Sequence, residues 1–119
     1  MSKRLQHIVL FAWPEPLSAA DEADMRSQVT SWPSQIPGIN RLRLGKDLTG
    51  ERTRGHSQLL YMEFDGVDEM KSYQAHPVHQ VFHRWVIERH GVPLAFDYFL
   101  DDDTVFIPEG ETTREEERQ

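Results

Sequence analysis

A chain of 119 residues without a cysteine is the size of one domain with one real core, and it can have neither disulfides, thiolate metal sites nor a cysteine nucleophile. Its net charge of −7 is uneven: from Asp101 onward there are eight acidic and two basic residues, whereas residues 1–100 carry eleven basic against twelve acidic. A near-neutral body with an acidic end argues against nucleic acid, whose binding begins with a basic face, and no run reaches the roughly 18 apolar residues of a membrane span.

In chain order, Leu5 to Trp13 is rich in β-branched and aromatic residues and is closed by Pro14 and Pro16, so it reads as a first strand. Alternation puts His7, Val9 and Phe11 on one face and Ile8, Leu10 and Ala12 on the other. Both faces are apolar, so the strand should be covered twice. Ser18, with Asp21 three residues on, is an approximate capping box. Met25, Val29, Trp32 and Ile36 then form the stripe of a helix lying on a sheet, which Pro33 should kink or end and Pro37-Gly38 stops. Ile39 to Asp47 is a second strand with Leu42 and Leu44 on one face and Arg41 and Arg43 on the other, where the arginines could grip an anionic ligand but are expected to pair with Glu63 of the neighbouring strand or a partner subunit. A connection over 49–56 leads to a third strand, Ser57 to Phe64, in which Leu60, Met62 and Phe64 alternate with Leu59, Tyr61 and Glu63.

After the Asp65-Gly66 turn a helix runs from about Val67 to His90, broken at His76-Pro77 because the residue before proline avoids the α region; Pro77 opens the new segment. Val78, Phe82, Trp85 and Val86 form its buried stripe, and Gly91 is the expected left-handed C′ residue. Leu94 to Leu100 is a fourth strand with Asp97 among aromatics. Residues 1–100 thus make one domain; 101–119 is expected to be an acidic, mobile tail, in which Val105-Phe106-Ile107-Pro108 could dock.

The order β-α-β-β-α-β is that of the ferredoxin-like α+β fold: a four-stranded antiparallel sheet with both helices on one face. Ile8, Leu10, Leu59, Tyr61, Phe96 and Tyr98 are left on the other. An apolar patch of that size rarely stays exposed, so a homodimer through the outer sheet face is expected.

His7, Leu44-Gly45-Lys46-Asp47, Tyr73 with His76-Pro77-Val78-His79 and Phe82, and Phe96-Asp97-Tyr98 together resemble the stress-responsive A/B barrel (Dabb) family of dimeric α+β barrels, over roughly residues 5 to 100. The family includes proteins without assigned chemistry and a plant polyketide cyclase that forms olivetolic acid by an intramolecular aldol condensation. By resemblance, the cyclase's catalytic groups fall on His7, Tyr73, His79 and Asp97; Val29 lies in the first helix, where that enzyme has a pocket tyrosine.

The residues themselves support a pocket between helices and sheet, lined by Val9, Phe11, Val29, Leu42, Leu60 and Phe82. In it a pair of His79 with Asp97 could act as a general base on a carbonyl compound, with Tyr73 and His7 steadying the oxyanion. The competing reading is that Asp97 merely satisfies His79 in the core. Two functions therefore stand side by side: a small-molecule acid/base enzyme of cyclase or lyase type, and a non-catalytic homodimer that binds an apolar ligand or has a structural role. His79 and His83 have the four-residue spacing of zinc ligands, but without thiolate or an acid on that helix face no metal is expected, and no cofactor is indicated. His76 reads as structural, His56 as a solvated loop residue, and His90 as a cation near a helix C-terminus. The scattered glycines form no phosphate cradle, and Ser18 and Ser57 have no triad partners in register. Partners are thus a second copy and a small molecule, with neither nucleic acid nor membrane, in the cytoplasm.

Overall fold

In the computed structural model, residues 4–100 are described. The predicted acidic tail and the docking of Val105-Phe106-Ile107-Pro108 lie outside these residues. The strands are β1 (Arg4–Ala12), β2 (Ile39–Lys46), β3 (His56–Phe64) and β4 (Val92–Leu100); the helices are α1 (Ala19–Thr30), α2 (Trp32–Gln35), α3 (Val67–Ala75) and α4 (Pro77–Glu88). The sheet order is β2-β3-β1-β4 with every neighbour antiparallel, the ferredoxin-like arrangement expected from the element order. Pro93 stands in β4, an edge strand, the kind of strand in which a residue without an N–H is tolerated.

The helices cover one face of the sheet. Leu5, Val9 and Phe11 of β1 and Leu60, Met62 and Phe64 of β3 share one core with Met25, Val29, Trp32, Tyr73, Phe82 and Val86 from the helices. Each such large side chain taken fully out of water contributes on the order of 1.5–3 kcal/mol before chain entropy is counted.

Local signals explain the helix limits. Ser18 caps α1, its Oγ accepting from the Asp21 amide at 3.1 Å. Pro33 does not kink a continuous helix. α1 ends at Thr30, and Pro33 falls in the first turn of the short α2, where a missing donor is harmless. Trp32 and Ile36 still continue the buried stripe. A polar clamp joins α1 to α4: Trp85 Nε1 donates to Asp24 at 2.8 Å, Arg89 Nη2 donates to Asp21 at 3.1 Å, and the Arg89 guanidinium lies 4.1 Å from the Trp85 ring centre.

The end of α4 differs from expectation. His90, not Gly91, adopts the left-handed conformation, with φ of 55°. The His90 amide donates to Ile87 O and the Gly91 amide to Val86 O, both at 2.9 Å, which makes a Schellman motif with His90 at C′. Gly91 is needed for close approach instead: a Cβ there would sit 2.5 Å from Trp13 Cζ3 and 2.7 Å from Val86 Cγ1.

The outer sheet face divides into two regions. In the polar one, Gln6 Nε2 donates to Glu63 at 3.0 Å, the Tyr61 hydroxyl donates to Gln6, and Arg4 and Arg41 approach Glu63 at 3.7 and 3.9 Å. In the other, Leu94 is 55% and Phe96 65% exposed, opposite Leu10 and Ile8 of β1. No helix among the described residues is long and apolar enough to cross a membrane.

Gly91→Ala is expected to destabilise the protein by about 1–3 kcal/mol, the usual cost of overpacking. Gly45→Ala, whose Cβ would meet nothing within 4 Å, serves as the control, and urea unfolding of both measures the difference.

Candidate active site

β1 is an interior strand, so its inward side chains are buried, and His7 is 4% exposed. A buried imidazole needs partners. His7 lies directly opposite Asp97 in the β1–β4 register, and its Nδ1 donates to Asp97 Oδ1. A carboxylate only accepts, so the Nδ1 position carries the hydrogen and Nε2 is left for another group.

His79 is held by the helix break. His76, before Pro77, is extended (φ −67°, ψ 136°), and its Nδ1 accepts from the Val78 amide at 3.1 Å as the N-cap of α4. In an unbroken helix Val78 would donate to the Gln74 carbonyl. That oxygen instead receives His79 Nδ1–H at 3.1 Å and Gln80 Nε2–H at 2.6 Å. His79 is therefore also an Nδ1–H tautomer when neutral, with the Nε2 lone pair outward. Its pKa is lowered, chiefly by burial against the neighbouring rings, with a smaller opposing effect from the Gln74 carbonyl and further lowering by His83 and His7.

Tyr73, on the last turn of α3, packs between these two imidazoles, its ring centre 4.3 Å from that of His79 and 6.1 Å from that of His7. Burial pushes its phenol far above the usual range, so it stays a protonated donor. Trp32 and Phe64 close the back of the ring cluster at 5.5 and 5.3 Å from Tyr73.

These groups face a cavity of about 140 Å³ between the sheet and α3–α4. His7, Val9, Phe11 and Leu60 form its floor, and Tyr73, His79, Phe82 and His83 its roof. Among the described residues no lysine or arginine lines it. Neither the Nε2 atoms of His7 and His79 nor the Tyr73 hydroxyl has a hydrogen-bond partner among those residues, yet none is sealed from solvent like Trp32 Nε1.

The expected site is thus brought together with changed pairings. Asp97 does not orient His79, because it stands across the ladder from His7 and that imidazole takes its carboxylate. Val9, Phe11, Leu60 and Phe82 line the cavity as expected, whereas Val29 and Leu42 do not. Val29 is fully packed beneath α1, and Leu42 belongs to β2, the edge strand on the far side of β3 from β1 and β4. Gln74, Pro93 and Ala95 are not singled out by sequence, Val86 is expected only in the buried stripe of the helix, and His83 only through its spacing from His79. Pro93 and Ala95 share the alternation of Asp97 and could have been found from it; a backbone carbonyl such as that of Gln74 leaves no trace in residue type.

A sequence model described as the stress responsive A/B barrel domain (Dabb) matches residues 5–100. No curated protein matches the chain with significance. Among solved structures, the chain is similar to a dimeric protein of unknown function and ferredoxin-like fold from Bacteroides fragilis, with a TM-score of 0.70 at 23% identity over 82% of this chain and 96% of that one. It is similar to a hydroxynitrile lyase from Passiflora edulis, with a TM-score of 0.76 at 15% identity over 88% and 100%. A Dabb family protein with a ferredoxin-like fold from Mesorhizobium loti gives 0.64 at 21% identity over 81% and 95%. At these identities the structural likeness is one of fold.

A pKa lowered in the folded state means that the unfolded chain binds the His79 proton more readily. This contribution to stability is therefore present above pH 6.5 and is lost as pH falls through the lowered folded value. NMR titration of His79 is expected to give a midpoint below 6.5, and His79→Gln should flatten the acid side of the stability profile between that midpoint and pH 6.5.

Proposed function

This chain belongs to the stress-responsive A/B barrel domain family, and on that premise we propose that it is an acid/base enzyme of lyase or cyclase type acting on a small, uncharged, largely apolar carbonyl compound. The observation that carries this reading is the convergence of two imidazole Nε2 atoms and a phenol, all without protein partners among the described residues, on one apolar cavity.

His79 is the base. Neutral, and with Nδ1–H engaged by Gln74, it takes a proton from the carbon next to the substrate carbonyl onto Nε2. The electron pair of that C–H bond moves toward the carbonyl oxygen, which becomes an enolate. Tyr73 O–H donates to this oxygen, and His7, its ring fixed at Nδ1 by the Asp97 carboxylate, turns its Nε2 edge to the same place. The apolar enclosure strengthens both interactions, and the absence of a cationic side chain from the described lining suits a neutral substrate. In the cyclase direction the enolate carbon attacks a second carbonyl carbon, whose C=O electron pair becomes an alkoxide that takes the proton back from His79 Nε2; in the lyase direction the steps reverse, His79 taking the hydroxyl proton as the carbon–carbon bond breaks to a carbonyl and an enolate. The lyase from Passiflora edulis among the structural relatives lies in the same direction.

The active form is a homodimer joined through the outer face of the sheet. Leu94 and Phe96 on β4, with Leu59 of β3 and Tyr98, form an open apolar region that a monomer would leave in water. That the similar protein from Bacteroides fragilis is dimeric supports a dimer here. Sedimentation of dilute protein should give a dimer, and Phe96→Glu should give a folded monomer; a monomeric wild type would remove this assembly.

A panel of small neutral aldehydes and ketones in D2O, followed by NMR, tests the chemistry. Exchange of the protons next to the carbonyl is expected, slowed about 10²–10⁴-fold in His79→Ala and about 10²–10³-fold in Tyr73→Phe. Equal rates with wild type and His79→Ala would reject His79 as the base.

A further inference from the structure

We infer that the His76–Pro77 break sets the protonation geometry of His79, and that Gln80 is a positioning residue that acts through the Gln74 carbonyl. This rests on the reading of His79 as the base and deepens it. The break has three local consequences. Pro77 has no amide hydrogen, so the Tyr73 carbonyl loses its helical donor and accepts from the His76 amide at 3.1 Å instead. His76 turns extended and captures the Val78 amide with its own side chain at 3.1 Å. The Gln74 carbonyl, the normal acceptor for that amide, is left in the last turn of α3 without a helical partner.

Two side chains from the following helix fill that vacancy in the ladder. His79 Nδ1 lies 3.1 Å and Gln80 Nε2 2.6 Å from the same oxygen. A carbonyl oxygen has two lone pairs and no hydrogen, so it can serve both donors but can accept only from the protonated ring nitrogen. It thereby selects the Nδ1–H tautomer, which is the one that turns a basic Nε2 to the cavity. Gln80 does not line the cavity, and among the described residues its side-chain amide makes no bond other than this one. Its backbone amide makes the first helical bond of α4, to His76 O at 3.0 Å, so the side chain and the joint are fixed together. A continuous helix with the same residues would give the Gln74 oxygen to Val78 and leave His79 without a group to choose its tautomer.

The tautomer is read without any substrate, from long-range 1H–15N correlations of the full-length protein at a pH above the His79 titration, with the resonance assigned by its loss in His79→Ala. Wild type is expected to show His79 protonated at Nδ1. Gln80→Leu should raise the fraction protonated at Nε2 while leaving the melting midpoint near that of wild type, and Pro77→Ala, which returns the oxygen to Val78, should raise it further. Should Pro77→Ala fail to fold, Gln80→Leu alone decides. Wild-type His79 protonated at Nε2, or a Gln80→Leu spectrum identical to that of wild type, would overturn the inference. If the Nδ1–H tautomer and its Gln80 dependence are found in a protein that exchanges no carbonyl substrate, the proposed activity falls and this inference stands.

Discussion

An interior strand that is apolar on both faces can be buried by its own chain on only one, because a ferredoxin-like element order lays every helix on the same side. β1 is that strand, and the molecule is built around it. Its inward face, Leu5, His7, Val9 and Phe11, meets the helix stripes in one core. On its outward side, no helix among the described residues covers it, and beside it Leu94 and Phe96 are exposed. The same constraint that closes the core therefore leaves an apolar region on the outer face.

The constraint also creates the site. A histidine on the inward face of β1 cannot be left unpaired, and the register supplies Asp97 directly across the ladder. Above it, Pro77 interrupts the covering helix and tilts two more polar groups, Tyr73 and His79, over the same part of the sheet. Each imidazole has one nitrogen committed to a fixed acceptor and one turned loose, while burial holds Tyr73 protonated and His79 neutral. Weak acids and bases kept in defined states by a dry surrounding are the ordinary means of proton transfer near neutral pH.

Much of this was legible in the residues. Alternation in Leu5–Trp13 and 57–64, the cap at Ser18 and the His76-Pro77 dipeptide correctly placed strands, a helix start and a joint, because each is a local steric or hydrogen-bonding effect. The resemblance to the family gathered His7, Tyr73 and His79 into one place, and the cavity has all three in its lining. The errors share a different origin. Residue type alone suggests a pair of Asp97 with His79, but which imidazole Asp97 reaches is set by strand register. A glycine just past a helix suggests a left-handed cap, whereas at Gly91 it is Trp13, 78 residues away in sequence, that occupies the space a side chain would need. Val29 and Leu42 have the right polarity for a pocket wall and sit too deep or too far along the sheet.

By itself, then, the sequence determined the element order, the apolar faces, the helix break and the inventory of acid/base groups, since periodicity, propensity and the missing proline donor act over a few residues. Only the tertiary structure decided which groups touch: that Asp97 serves His7, that a freed Gln74 carbonyl holds His79, and that the cavity opens beside β4 and not beneath α1. Those outcomes depend on strand register and on the angle between two helix segments, and small shifts in either exchange one partner for another without altering the pattern of residues.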